Sequence, residues 1–441
     1  MFQMISGWGN SIHSHTVLKK FENDLILSDV VNVRGAIPRG LGRSYGDSAS
    51  NAGGITIESS NSSEIKIDVT NGKAVVPAGL TISELERSAL RFGFFPHVVP
   101  GTGNVTVGGA IASDIHGKSH HYSGSFSNQV LEIEILTADG IKRIIHPSGN
   151  SSKLFWATVG GMGLTGLILQ ATIQLKKIEC AYVTTKEVRA KNLETLLETL
   201  IDFNKSYLYT VAWIDISGKY TGRGIVSGAN HSVMNELDKK QSRNRFMSSK
   251  IQTFRIRYPF KSSAVNRFTV HLFNFLWFFK PLNNRVQSIQ RYMHPLDGIQ
   301  NWNVLYGAGG FIQYQFVVPF QEEKVLKIVI EKLKDSKCSS PLSVLKSFGS
   351  ESKGLISFPM PGWTLAIDFP VGVPGLSMIL RELDELVVAA GGRVYLTKDS
   401  CLNPKHMKAM YPQLAEWKNV KRNIDPNNFW QSDQGRRLKL C

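Results

Sequence analysis

The chain has 441 residues, more than one small hydrophobic core requires, and its length predicts two domains. It carries 51 Lys and Arg against 35 Asp and Glu, a net charge of +16 that favours anionic partners. It has no recognised nucleic-acid motif, and its N-terminus lacks the basic and apolar regions of a secretory signal. We therefore expect no nucleic-acid partner, no signal peptide, no transmembrane helix, and a protein that is cytoplasmic or peripheral on the inner (plasma) membrane.

The first third of the chain predicts short strands mixed with helices. From Val31 to about Leu175, alternating strands and turns dominate, with strands at 55–57, 65–69 and 73–77. A helix is predicted to start at Thr81, because Glu84 three residues later completes a capping box. That helix would place Leu85, Ala89 and Leu90 inward. This mixture is typical of an α+β fold.

Two glycine-rich segments lie at 38–48 and 99–117. Glycine lets a backbone approach a ligand closely, and successive N–H groups in such a loop can converge on an anion. The first segment also carries Arg39 and Arg43, whose guanidinium groups suit a pyrophosphate. That segment alone could equally be an exposed turn. The two segments together favour a large dinucleotide cofactor.

A third glycine cluster, at 161–166, matches the G-x-G-x-x-G dinucleotide pattern. That pattern is informative only between a strand and a helix. Here the following residues, 167–175, alternate like a strand, so a Rossmann interpretation fails. We expect a tight turn near the cofactor instead.

The middle of the chain predicts a sheet covered by helices. Residues 192–205 form an amphipathic pattern, with an apolar face of Leu193, Leu196, Leu197, Leu200 and Ile201. The other predicted elements are strands at 209–216, 310–318 and 364–369, helices at 322–333 and 376–390, a mobile polar loop at 230–250 and a helical region at 405–417. Four scattered cysteines without a C-x-x-C pair indicate reduced structural thiols, and we expect no metal.

Residues 250–282 combine basic and aromatic side chains. The apolar part is too short to span a bilayer, and basic residues beside aromatics suit an interfacial segment. A buried helix with basic ends is an equal alternative. The basic residues are Lys250, Arg255, Arg257, Lys261, Arg267 and Lys280, and the apolar ones are Phe260, Phe268, Leu272, Phe273, Phe275, Leu276, Trp277, Phe278 and Phe279.

Several motifs together resemble the vanillyl-alcohol-oxidase family of flavoproteins. They are the two glycine segments with 114–121, 154–161, 313–316, 361–363 and 395–400. Within that family they resemble the branch that oxidises polyprenyl-phosphoryl ribose. The resemblance implies a two-domain α+β flavoprotein. Its PCMH-type FAD-binding domain would comprise 1–179 and 393–441, and its substrate-binding domain 180–392.

The resemblance also implies which residues hold FAD and that the bond is non-covalent. Some relatives attach FAD through a histidine near the position of His116, but this branch resembles members that do not. The cofactor-binding positions implied are Arg39, Gly40, Leu41, Gly42, Arg43, Ser44, Tyr45, Gly46, Gly101, Thr106, Val107, Gly108, Gly109, Ser113, Asp114, His116, Ile168 and Tyr395.

The catalytic and substrate positions follow from the same resemblance. Lys398 matches a lysine that faces the flavin, where it could accept the alcohol proton or act as a fixed positive charge. Tyr45 is the rival proton acceptor, and His116 would lie beside the flavin. The implied substrate-binding residues are Lys118, Gln313, Gln315, Lys346 and Lys398.

The function implied is FAD-dependent oxidation of the 2-hydroxyl of a polyprenyl-phosphoryl-β-D-ribose to the 2-keto sugar. A separate NADH-dependent keto-sugar reductase would complete the epimerisation to the arabinose donor for cell-envelope arabinan. One alternative is a soluble sugar, aldonolactone or alditol oxidase of the same family. The other is a non-catalytic basic protein that binds membrane or nucleic acid.

Overall fold

The computed structural model describes residues 2–21, 34–59, 64–247, 253–256, 262–336 and 338–441. The N-terminal region forms a four-stranded sheet from β1 (Phe2–Ser6), β2 (His13–Lys20), β3 (Ala36–Arg39) and β4 (Ile55–Glu58). The strand order is β1-β2-β4-β3, with β4 parallel to both of its neighbours. The predicted strand at 55–57 is confirmed, whereas Val31 lies outside the described residues.

A second, antiparallel sheet follows, with the order β5-β6-β10-β8-β9 and β7 paired to β10. Helix α2 lies against β6 and β10 and thereby brings the second glycine segment to this sheet. The strands are β5 (Lys66–Asp68), β6 (Lys73–Pro77), β7 (Phe94–Pro96), β8 (Val130–Leu136), β9 (Lys142–Ile145) and β10 (Leu167–Lys177); the helices are α1 (Ile82–Leu90), α2 (Val107–Ala112), α3 (His120–Ser123) and α4 (Ser152–Thr158).

An eight-stranded antiparallel sheet occupies the middle of the chain, in the order β15-β11-β13-β12-β18-β19-β17-β20. Its strands are β11 (Tyr182–Ala190), β12 (Tyr209–Ile214), β13 (Gly224–His231), β15 (Val286–Ser288), β17 (Phe311–Val318), β18 (Ser343–Phe348), β19 (Gly362–Pro370) and β20 (Arg393–Val394). Two further short strands, β14 (Phe254–Arg255) and β16 (Ile299–Gln300), form a separate parallel pair.

Helices cover this sheet because their apolar stripes pack on it. Leu200 of α5, Leu333 of α9 and Leu383 of α10 are fully buried in one hydrophobic core with Leu365 of the sheet. The helices of this region are α5 (Leu193–Ser206), α6 (Lys239–Arg243), α7 (Arg267–Phe279), α8 (Ile289–Met293), α9 (Glu323–Asp335) and α10 (Leu376–Ala389).

The C-terminal segment returns to the N-terminal sheets. It contains α11 (Met407–Met410), α12 (Leu414–Ile424) and α13 (Asp433–Arg437). Trp430 forms a parallel bridge with Ala36, and the Trp417 indole donates a 2.9 Å hydrogen bond to the Ala157 carbonyl. These contacts bring α13 beside the first glycine segment.

Most predicted elements are confirmed. Thr81 caps α1 through a reciprocal capping box with Glu84, and Leu85, Ala89 and Leu90 are fully buried. Residues 161–166 form a turn that leads into β10 rather than a helix, so the Rossmann pattern is indeed misleading. The four cysteines are free thiols.

Two expectations need correction or restriction. Ile201 is 44% exposed, because α5 is centred on its other apolar residues and turns Ile201 towards solvent. The predicted loop at 230–250 contains the short helix α6, which Asp238 caps; its last residues, 248–250, lie outside the described part. Across the described ranges, no helix combines the length and apolarity needed to cross a bilayer.

Candidate active site

The two glycine segments meet face to face. The first follows β3, and the second leads into α2, whose N-cap is Thr106. A Cβ on Gly40 would lie 2.2 Å from the Thr106 hydroxyl, so a side chain there would separate the segments. Glycine is therefore required at position 40 for this close approach.

A cavity lined by residues of both segments lies between them. Its described lining contains Arg39 and Arg43 but no acidic side chain, a donor set that fits a pyrophosphate. Many of the predicted cofactor residues line it, namely Arg39, Gly40, Leu41, Gly42, Arg43, Ser44, Thr106, Gly108, Gly109, Ser113 and Ile168.

Other residues of the lining were not predicted. Ser48 ends the first segment and Ala49 follows it, Thr397 belongs to the turn before Lys398, and Ala78 packs beneath α2. Met162 and Gly163 come from the turn at 161–166, so this turn lines the same cavity as the two glycine segments. The signal in the sequence that could have identified these lining residues was the small side chains of the loops.

The two arginines also hold the segments in place. The Arg39 guanidinium donates to the carbonyls of Ser6 (2.7 Å) and Ala49 (3.1 Å). Arg43 donates to the Asn104 carbonyl (3.1 Å), which joins the first segment to the second, and lies 4.0 Å above the Trp8 ring. These contacts keep positive charge beside the cavity.

Seven predicted cofactor positions do not line this cavity: Tyr45, Gly46, Gly101, Val107, Asp114, His116 and Tyr395. The buried Asp114 carboxylate accepts hydrogen bonds from the Ser127 amide (3.1 Å) and the Ser352 hydroxyl, so it ties loops together. A Cβ on Gly46 would lie 2.0 Å from the Asp399 carbonyl oxygen, whereas Gly101 has open space around it. The structure gives Asp114 and Gly46 scaffolding contacts.

His116 and Gln315 are buried together. The Gln315 amide donates to His116 Nε2 (3.0 Å) and to the Thr364 hydroxyl (2.9 Å). Burial, followed by the charges of Lys346 and Lys398, holds the pKa of His116 well below its usual value. Within the described residues, His116 Nδ1 and the side-chain oxygens of Gln313 and Gln315 have no hydrogen-bond partner. Unpartnered buried polar atoms are costly in proteins, and these fit a polar ligand.

Three lysines are brought close enough to influence one another. Burial lowers the pKa of Lys346 to about 8 and that of Lys118 to about 7, the latter with a contribution from Lys346. Lys118 Nζ donates to the carbonyls of Tyr292 (2.9 Å) and Met293 (2.8 Å). Within the described residues, the Lys346 side chain makes no hydrogen bond or ion pair. A concentration of partly buried cations of this kind suits an anionic ligand.

Lys398 lies beside Tyr45. The Lys398 amide bonds to the Tyr395 carbonyl (3.0 Å) and the Tyr45 amide to that of Thr397 (2.9 Å), so one turn positions both residues. Lys398 Nζ is 5.6 Å from the Tyr45 ring centroid. Burial, and then Lys346, lower the pKa of Lys398, whereas burial raises that of Tyr45. These shifts favour the neutral amine of Lys398 and disfavour the phenolate of Tyr45.

Sequence reasoning missed Asp368 on β19. It accepts hydrogen bonds from Gln313 and from the Tyr306 hydroxyl (3.2 Å), and its charge opposes the lowering of the Lys398 pKa. Burial raises the pKa of Asp368 itself. An acidic residue inside the apolar run at 363–369 was the available signal.

Arg437 was also missed. It donates to the carboxylates of Asp47 (2.7 Å) and Asp399 (2.8 Å), which flank Gly46 and Lys398 respectively. The C-terminal helix α13 therefore joins the first glycine segment to the turn that carries Lys398.

Comparison with known proteins agrees with this geometry. Residues 32–145 match a family described as FAD binding domain. The chain is 39% identical to decaprenylphosphoryl-β-D-ribose oxidase of Mycolicibacterium smegmatis, over 99% of this chain and 97% of that protein. It is also 36% identical to D-lactate dehydrogenase of Archaeoglobus fulgidus, over 28% of each chain. Cytokinin dehydrogenase 10 of Oryza sativa subsp. japonica is 34% identical, over 32% of this chain and 26% of that one.

These matches confirm FAD as the cofactor, an oxidoreductase activity and the two-domain α+β class. They do not favour a non-catalytic binding protein or a free-sugar oxidase. By its similarity over nearly its whole length, the chain belongs to the decaprenylphosphoryl-β-D-ribose oxidase family of FAD-dependent flavoproteins.

Proposed function

We propose that the protein oxidises the 2-hydroxyl of a polyprenyl-phosphoryl-β-D-ribose to the 2-keto sugar, the first half of an epimerisation. The observation that carries the proposal is the 39% identity over 99% of the chain to an oxidase of that sugar lipid. Three partly buried lysines, together with the unpartnered oxygens of Gln313 and Gln315, support a substrate with both an anionic group and hydroxyls.

Alcohol oxidation removes a hydride from carbon and a proton from oxygen. Bound FAD supplies the two-electron acceptor for the hydride. Lys398 is the proposed acceptor of the proton, because its lowered pKa leaves a neutral amine available near neutral pH. Tyr45 remains protonated and orients the alcohol. His116, neutral and bonded to Gln315, fixes that glutamine towards the sugar.

On the substrate side, we assign the phosphate to Lys346 and Lys118. Within the described residues, the Lys346 side chain has no hydrogen bond or ion pair, and Lys118 is held by two carbonyls at 2.9 and 2.8 Å. The unpartnered oxygens of Gln313 and Gln315 can accept hydrogen bonds from ribose hydroxyls.

We further propose that residues 1–179 and 393–441 form the FAD-binding domain and that 180–392 form the substrate-binding domain. The three larger sheets divide near these boundaries, and Trp417 and Trp430 tie the last segment to the N-terminal part. FAD is held non-covalently. The protein lies peripherally on the inner (plasma) membrane. A separate NADH-dependent reductase completes the epimerisation.

Anaerobic mixing with a synthetic polyprenyl-phosphoryl ribose tests the reaction. We expect loss of the oxidised-flavin absorbance and formation of a ketone at C2. Free ribose, an alditol and an aldonolactone are the controls. Rapid reduction by these unphosphorylated compounds, without reduction by the sugar lipid, would contradict the proposal.

A further inference from the structure

Helix α7 exposes an apolar face to solvent. The side chains of Phe268, Leu272, Phe275, Leu276 and Phe279 are 77%, 50%, 47%, 60% and 58% exposed. At 3.6 residues per turn they fall within an arc of about 100°. The buried residues Val270, Asn274 and Phe278 lie on the opposite side. The alternative of a buried helix is therefore wrong, and an exposed apolar stripe of this size marks an interaction surface.

The helix is held firmly in this orientation. Asn274 donates a 2.8 Å hydrogen bond to the buried carboxylate of Asp215, which pairs with Arg223 at 3.1 Å. At the C-terminus, Arg189 donates to the carbonyls of Phe278 (2.6 Å) and Lys280 (2.5 Å). Because polar contacts fix the inner side, the apolar face is presented as a rigid surface.

The sequence that flanks α7 is strongly basic. From position 239 to 296 the sequence contains twelve Lys and Arg residues and no Asp or Glu. Arg255, Arg267, Arg285 and Arg291 are exposed in the described part of this stretch. An exposed apolar stripe in a stretch of sequence without acidic residues suits an anionic lipid surface. A second copy of the chain would bring the same basic region against itself, which opposes self-association.

The surface is also connected to the proposed substrate site. Asn274 donates to the Ser340 carbonyl (3.4 Å), and the Ser340 hydroxyl accepts from the Asp368 amide (3.3 Å). Asp368 in turn accepts from Gln313. Only Ser340 and Asp368 lie between the helix and a residue proposed to bind the sugar.

We propose that α7 inserts its apolar face into the headgroup region of an anionic bilayer, with the exposed arginines of the flanking sequence in contact with the lipid phosphates. The inference rests on the proposed function in one respect, that the substrate carries a lipid tail. It explains how a chain whose described helices are all too short to cross a membrane can reach such a substrate.

Vesicle co-sedimentation of the FAD-loaded protein tests the surface. The probes are phosphatidylglycerol–phosphatidylcholine vesicles and pure phosphatidylcholine vesicles. We expect the parent to bind the anionic vesicles. The double variant Phe275→Gln/Phe279→Gln should weaken this binding by about tenfold or more. The triple variant Arg255→Gln/Arg267→Gln/Arg285→Gln should weaken it by about tenfold at low salt. Ile328→Gln/Met378→Gln, which changes exposed apolar residues of α9 and α10, should bind as the parent does.

Flavin reduction and vesicle binding together separate a failure of the proposed reaction from a failure of the proposed membrane surface. Flavin reduction by a short-chain, water-soluble phosphoryl-ribose analogue should be equal in the parent and all variants. If the parent fails this assay yet binds vesicles through α7, the reaction is wrong and the surface stands. Binding that is absent in the parent, or unchanged by Phe275→Gln/Phe279→Gln, overturns the inference. If the parent is a dimer and this variant converts it to a monomer without changing vesicle binding, the inference is overturned in favour of a protein interface.

Discussion

The Gln315 side-chain amide donates a 3.0 Å hydrogen bond to His116 Nε2 and thereby joins β17 of the large sheet to the segment that follows α2. Since Nε2 accepts this bond, neutral His116 carries its proton on Nδ1. The ring packs against Phe348, Phe358 and Tyr395, at centroid distances of 4.7, 5.6 and 5.1 Å. His116 is therefore fixed between the two parts of the proposed site, with one unpartnered donor.

The first prediction concerns the attachment of FAD. The residues that line the cavity bring backbone groups and arginine charge close to a bound cofactor. These contacts are sufficient to hold FAD tightly without a covalent bond. Acid precipitation of the yellow protein should release the flavin into the supernatant. Colour that remains in the pellet would show a covalent bond, and its loss in His116→Ala would identify the anchor.

The second prediction concerns Lys398. Replacement by alanine should retain FAD but slow anaerobic flavin reduction by substrate about 10²–10⁴-fold, because the proton acceptor is lost. The matched control is Lys408→Ala, which removes an exposed lysine and should leave reduction unchanged. A near-normal reduction rate in Lys398→Ala would exclude the proposed role.

The third prediction distinguishes a base from a fixed cation. Because the pKa of Lys398 is lowered, a base mechanism requires the limiting rate of flavin reduction to rise as pH increases through that pKa and then level off. Lys346→Gln removes a positive neighbour and should move the rise to higher pH. Asp368→Asn removes a negative neighbour and should move it to lower pH. A rate that falls with pH, together with activity in Lys398→Arg, would indicate a fixed cation instead.

The fourth prediction uses two glycines of the same loop system. Gly46→Ala should lower the free energy of unfolding by about 1–3 kcal/mol, because the new Cβ would lie 2.0 Å from the Asp399 carbonyl oxygen. Gly101→Ala should have little effect on unfolding, since nothing lies within 4 Å of its Cβ position. Chemical denaturation measures both variants. FAD content in Gly101→Ala separately tests its predicted role in cofactor binding.

The fifth prediction concerns the Arg223–Asp215 pair beneath α7. Arg223→Ala should destabilise the protein by about 3–5 kcal/mol, because it leaves a buried carboxylate without its cation. The double variant Arg223→Met/Asp215→Leu should recover part of this loss. Lys205→Ala breaks an exposed ion pair with Asp202 and should cost less than about 1 kcal/mol in denaturant unfolding. Equal effects of the buried and exposed substitutions would refute the argument.

By itself, the sequence determined the features that depend on neighbouring residues. The capping box at Thr81, the turn at 161–166 and the two glycine segments are local, because hydrogen bonds and backbone freedom within a few residues decide them. The tertiary structure decided the rest. Asp368 meets Gln313 only through the register of β17 and β19, and Arg437 meets Asp47 and Asp399 only after the C-terminus returns. The apolar run at 268–279 is compatible with a core helix or a surface helix, because periodicity identifies an apolar face but not what covers it.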